Sequence, residues 1–166
     1  MNRTRVGLCA LLVALAGCER APAMFPSRKE IAPLRARLTQ SGGDSSRVIR
    51  VNGLVDLTQL NRNTRYKFSL PADGVLRVAP LPADMPNNEY VHPILADGAP
   101  VRTAGGIVVR HDGVTVTGAV LDRDSRAYCP TEASLGAAID ALVSLGVSRG
   151  GITIEPRTPQ CEPLPR

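Results

Sequence analysis

Arg3 and Arg5 are followed by an uninterrupted apolar run, Val6 to Ala16, and this opening constrains the rest of the chain more than any later feature. A membrane-spanning helix needs about 20 apolar residues, and the run falls well short of that. A charged start, a short apolar stretch and small closing residues are instead the layout of an export signal. An exported chain matures where thiols oxidise, and only the residues after the signal contribute to the fold. Of the 166 residues, that leaves a length suited to a single domain with one modest core.

The run closes on Leu15-Ala16-Gly17-Cys18. A branched apolar residue and two small residues ahead of a cysteine resemble the lipobox of bacterial lipoproteins. Small side chains let an extended backbone enter a membrane-embedded peptidase, and the thiol accepts a diacylglyceryl group. The resemblance implies that residues 1–17 are removed and that Cys18 becomes a lipidated N-terminus. It further implies a triacylated anchor, each buried methylene adding about 0.8 kcal/mol, so that two or more chains hold a protein durably. Glu19 comes directly after the cysteine, where an aspartate often retains such proteins in the inner membrane. The expected address is therefore the outer membrane, facing the periplasm. An ordinary leader cut after Gly17, with Cys18 an incidental thiol, is the alternative.

Four cysteines are present. Cys9 goes with the leader and Cys18 to the lipid, leaving Cys129 and Cys161 in an oxidising compartment, where they are expected to pair. On the chain-entropy model such a bridge stabilises the domain by roughly 3 to 4 kcal/mol. A reactive Cys129 or a metal pair lacks both CxxC spacing and neighbouring histidines. The net charge of +5 falls to +3 once Arg3 and Arg5 are lost. The arginines are scattered rather than massed on one face, and aromatic residues make up 3% of the chain with no tryptophan. Neither pattern suits nucleic acid, which calls for a dense basic face or stacking platforms. Charge alone would allow a loose attraction to anionic head groups, although a solvated surface explains the arginines as well.

Residues 18–26 carry two prolines and no apolar period, so they read as a lipidated N-terminus and tether, with one α+β domain over 27–166. Ser27 is a candidate cap for a helix from Arg28 to Gln40, with Ile31, Leu34 and Leu38 at helical spacing and Ser41-Gly42-Gly43 stopping it. Val48 to Val51 suggests a strand, and Leu54 to Leu60 is ambiguous. Tyr66–Leu70 and Val75–Ala79 form an expected hairpin around Pro71-Ala72-Asp73-Gly74. Pro80 to Pro86 reads as too proline-rich for regular structure. Gly106–Arg110 and Val114–Leu121 flank His111-Asp112-Gly113 and predict a second hairpin at the centre of the sheet. A helix comes after Pro130, with Thr131 as a candidate cap and Leu135, Ala138, Ile139 and Leu142 on one face. Gly151–Glu155 is a last strand. The expected fold is a small antiparallel or mixed sheet of about five strands with two helices packed on it.

His92 and His111 are the two histidines, which excludes HExxH and three-histidine metal sites. His111 reads as a solvated turn residue, and His92, before Pro93, as a structural hydrogen-bond donor or a weak catalytic candidate. Asp122-Arg123-Asp124-Ser125 gathers oxygen donors that suit a hard cation, but without the glycine and distant glutamate of an EF-hand it reads as an exposed polar turn. A Cys129, His92 and Asp124 triad has no spacing to support it and would be abolished by the disulfide. The glycine pairs at 42–43, 105–106 and 150–151 match no phosphate-binding motif, and no cofactor or metal is expected.

The order His92, Gly98, Pro100-Val101, Ala104-Gly105, Gly113, Ser125, Tyr128, Pro130 and Leu135 resembles a poorly characterised module of bacterial toxin-type proteins and plant calmodulin-binding proteins. That module reads His-Ser, Gly-x-Pro-Val, Ala-Gly, strand-turn-strand, Ser-Gly-His-Tyr-x-Pro and a helix. Here Pro93 replaces the serine and Arg126-Ala127 the Gly-His pair, so only the hairpin-then-helix arrangement is carried over from the resemblance. The function expected from the sequence is that of a lipid-anchored envelope domain, non-catalytic, binding another protein or supporting an envelope assembly. The alternative is a small envelope hydrolase or transferase using His92 with Asp97 or Asp124.

Overall fold

The computed structural model describes residues 23–84, 89–157 and 159–163. The leader 1–17 and Cys18 therefore lie outside the described residues. The elements are α1 (Ile31–Gln40), β1 (Ile49–Val51), α2 (Leu54–Thr58), β2 (Arg65–Pro71), β3 (Leu76–Pro82), α3 (His92–Leu95), β4 (Val101–His111), β5 (Val116–Leu121), α4 (Leu135–Ser144) and β6 (Ile152–Ile154). The strands form one sheet in the order β1-β3-β2-β4-β5-β6. All neighbours are antiparallel except β5 and β6, which run parallel, with α4 in the connection between them. The α+β class holds, with a sixth strand and with two short helices, α2 and α3, beyond the expected α1 and α4. None of the helices among the described residues is long and apolar enough to cross a membrane.

Helices cover both faces of the sheet, which puts alternate residues of each inner strand into different cores. Tyr66, Phe68 and Leu70 of β2 join Leu76, Val78, Ile107, Val109 and Leu121 in the larger core, closed by Leu57 of α2 and Leu135, Ala138 and Leu142 of α4. On the other face Leu34 and Leu38 of α1 meet Ala79, Tyr90, Ile94 and Leu95. A third cluster holds Ala96, Val101, Ala104 and Tyr128, with Phe25 packed against it. Phe25 also exchanges both backbone hydrogen bonds with Val101, at 2.7 and 2.9 Å. The last residues of the expected tether thus dock on the start of β4.

Three differences from the sequence-based expectation have physical causes. Helix α1 begins at Ile31 rather than Arg28, and Ser27 Oγ donates to the Lys29 carbonyl instead of capping. A start at Arg28 would bury Pro33 in the helix interior, whereas from Ile31 it falls in the first turn, where no N–H donor is needed. Strand β3 continues through Pro80 to Pro82, a stretch expected to be irregular. Its outer neighbour β1 pairs only with residues 76 to 78, so on that side the later prolines have no ladder to interrupt. The β4–β5 hairpin lies off-centre; β2 and β4 occupy the middle, because β4 runs over Val101–His111 and pairs along the whole of β2.

Cys129 and Cys161 form a disulfide, as expected, with their Cα atoms 5.4 Å apart. The bridge holds the C-terminal tail against the segment after β5. There Glu162 N–H donates to the Arg126 carbonyl at 3.1 Å, and Arg28 Nη1 donates to the Glu162 carbonyl at 2.7 Å.

Candidate functional site

The odd-numbered residues of β2, opposite the larger core, place Arg65, Lys67 and Ser69 on one face of the sheet. A cleft of about 260 Å³ opens there, and its cationic side is Lys29, Arg65, Lys67 and Arg126. Asp124 and Glu162 are its carboxylates, His92 forms part of its floor, and Ala83, Val91 and Ala127 are its apolar walls.

The cleft rests on a buried ion pair. Asp122, 3% exposed, accepts Arg65 Nε at 2.8 Å and Nη2 at 3.1 Å. It also accepts the backbone N–H groups of Gly106 and Asp124, each at 2.8 Å. Burial pushes the carboxyl pKa up, but the guanidinium and the two N–H donors outweigh it and hold the group below its ordinary value. Any side chain at Gly106 would run into Arg65 and Asp122, so the glycine is what lets the pair lie flat on the sheet. Asp122 and Ser125 are both buried, which corrects the expectation that Asp122-Arg123-Asp124-Ser125 is an exposed polar turn. The turn is drawn inward because Arg65, two strands away, supplies the counter-charge that Asp122 needs. No group of His, Cys, Asp or Glu side chains suited to a metal ion is found among the described residues. Asp122→Ala should destabilise the protein by about 3 kcal/mol at neutral pH, since it leaves two N–H groups unpaired and Arg65 with only the longer contact to Asp124. Asp124→Ala, at an exposed carboxylate 3.3 Å from Arg65 Nη2, should change stability by less than about 1 kcal/mol. Urea unfolding of the two variants checks this, and equal losses would contradict the assignment.

His92 opens α3 and is 7% exposed. Its Nε2 lies 3.0 Å from the Gly105 carbonyl, and because a carbonyl only accepts, Nε2 carries the proton. Burial pushes the imidazole pKa from 6.5 down to about 4, the Gly105 carbonyl opposes this, and the cations Lys67 and Arg65 add to it. The ring is therefore neutral at physiological pH, with Nδ1 a lone-pair acceptor that has no hydrogen-bond partner among the described residues. Asp124 lines the same cleft but turns to Arg65, while Asp97 pairs with Arg35. Neither carboxylate is hydrogen-bonded to His92. Cys129, in the disulfide, is not available as a thiol. His111 is tied down rather than solvated, bonding the Leu60 carbonyl through Nε2 at 2.8 Å and accepting Gly113 N–H through Nδ1 at 3.1 Å.

Lys67 is the residue that the sequence did not single out. It sits opposite Gly106 of β4. Burial, then the neighbouring Arg65 guanidinium, hold its ammonium below the ordinary lysine pKa, with Glu89 acting the other way. Among the described residues no hydrogen bond or ion pair reaches it. The other cations of the cleft are matched: Lys29 Nζ lies 3.0 Å and Arg126 Nε 3.9 Å from Glu162 Oε1, and Arg65 is engaged by Asp122 and Asp124.

No protein-family model matches the chain, and no curated protein and no solved structure matches it.

Proposed function

We propose that this protein is a bacterial lipoprotein of the cell envelope, anchored through acylated Cys18 and facing the periplasm from the outer membrane, whose domain binds a partner without catalysing a reaction. The observation that carries the reading is the agreement of two independent features. Leu15-Ala16-Gly17-Cys18 closes a short apolar run behind two arginines, and Cys129 and Cys161, at the far end of the chain, are joined in a disulfide that suits an oxidising compartment.

The cleft favours binding over chemistry. A histidine that works as a general base draws its basicity and orientation from a partner such as a carboxylate, and works best with a pKa near the operating pH. His92 instead donates to a backbone carbonyl and stays neutral down to about pH 4. The hydrolase or transferase alternative therefore has a weak base and, among the described residues, no activated nucleophile beside it.

Mass spectrometry of the natively produced protein should find Cys18 as the first residue with the added mass of a diacylglyceryl group and a further acyl chain. A different first residue, or no lipid mass, removes the anchor from the proposal.

A further inference from the structure

The cleft presents two polar groups that the protein itself does not satisfy. One is the ammonium of Lys67, a half-buried residue of the cleft wall, without a counter-ion among the described residues. The other is His92 Nδ1, an acceptor because the ring proton is committed to the Gly105 carbonyl. An unpaired cation beside an unpaired acceptor is complementary to a group that carries an anion and a donor together. The end of a peptide has that pairing, a terminal carboxylate and the N–H of the same residue.

We propose that this cleft binds the carboxyl end of a peptide, with the carboxylate on Lys67 Nζ, the terminal residue's amide N–H donating to His92 Nδ1, and a small side chain against Ala83, Val91 and Ala127. This specifies the partner for the binding reading above and rests on it. Three features favour a carboxylate over a phosphate. The available charge is a single lysine, since the fork of Arg65 is filled by Asp122, whereas phosphate is characteristically met by free guanidinium forks or rows of backbone N–H groups. The chain's own Glu162 already supplies a carboxylate to Lys29 and Arg126 at one side of the cleft. The volume of about 260 Å³ lies just under the range of roughly 300 to 1,000 Å³ usual for whole small-molecule ligands, which suits a chain end.

The test uses the full mature protein in detergent micelles, titrated with N-acetyl-alanyl-alanine, with the same dipeptide as its carboxamide, and with inorganic phosphate, and monitored by NMR of the His92 ring and the Lys67 side chain. The acid is expected to give saturable shifts at millimolar concentrations and to raise the Lys67 pKa. The carboxamide should bind at least about tenfold more weakly, and so should the acid to Lys67→Met, with Lys67→Arg recovering part of the loss. Equal binding of acid and carboxamide, no saturation by the acid in the wild-type protein, or phosphate giving the same Lys67-dependent shifts would each overturn the proposal. The acid and carboxamide arms need no variant, so the outcome does not depend on Lys67→Met folding. Cleavage of the bound dipeptide would overturn the non-catalytic reading while leaving the peptide site in place, and a failed titration would leave the Cys18 anchor untouched.

Discussion

Unfolding of the double variant Cys129→Ser, Cys161→Ser is expected to need about 3 to 4 kcal/mol less free energy than unfolding of the oxidised protein. The two cysteines are 32 residues apart, and the loop they close contains α4 and β6. In the unfolded chain the bridge removes the freedom of that loop, which is the source of the stabilisation on the chain-entropy model. The folded tail has few other ties: Glu162 bonds Arg126 and Arg28 through its backbone and Lys29 through its carboxylate. Partly exposed contacts of this kind each contribute about 1 kcal/mol. Loss of the bridge should therefore also loosen Glu162 from the cleft, and acylation of Lys29 by an amine-reactive reagent should speed up. Denaturant unfolding of the oxidised wild type and the double variant decides the matter. A difference below about 1 kcal/mol would mean that the tail's hydrogen bonds alone order this region.

The second large effect is on pH. His92 has a folded pKa of about 4 against an ordinary value of 6.5. Above 6.5 neither the folded nor the unfolded chain protonates it, so its contribution is complete there. As the pH falls from 6.5 towards 4, the unfolded chain takes up a proton that the folded one refuses, and stability declines by about 3 kcal/mol over that window. His92→Gln, which keeps an N–H donor for the Gly105 carbonyl but cannot titrate, should flatten the slope. Below that window Asp122 takes over: its folded pKa is depressed, so its contribution is present above the ordinary carboxylate value of 3.8 and is lost as the pH drops through the folded value. Urea unfolding at several pH values gives both slopes. A wild-type stability that is level between pH 6.5 and 4, or a slope unchanged by His92→Gln, would show that the ring is solvated and titrates normally.

Local features of the chain determined much of this protein. The apolar spacing of Leu34 and Leu38, the Asp-Gly turn after His111, the periodicity of Leu135, Ala138 and Leu142, and the cysteines at 129 and 161 each encode their element or link within a short window or by elimination. The hairpin-then-helix order of β4, β5 and α4 was legible for the same reason. What the tertiary structure decided depends on partners distant in sequence. Arg65, Lys67 and Ser69 alternate with apolar residues as a solvent-facing edge does, and only the packing of α3 and the segments that line the cleft over that face buries Ser69 and half-buries the two cations. Asp122 reads as an exposed turn until Arg65, 57 residues earlier, meets it across the sheet. The cleft has no motif because its groups come from the segment before α1, from β2, from the start of α3, from the turn after β5 and from the disulfide-held tail. Periodicity reports which residues share a face, whereas the burial and pairing of charge are set by what is folded onto that face.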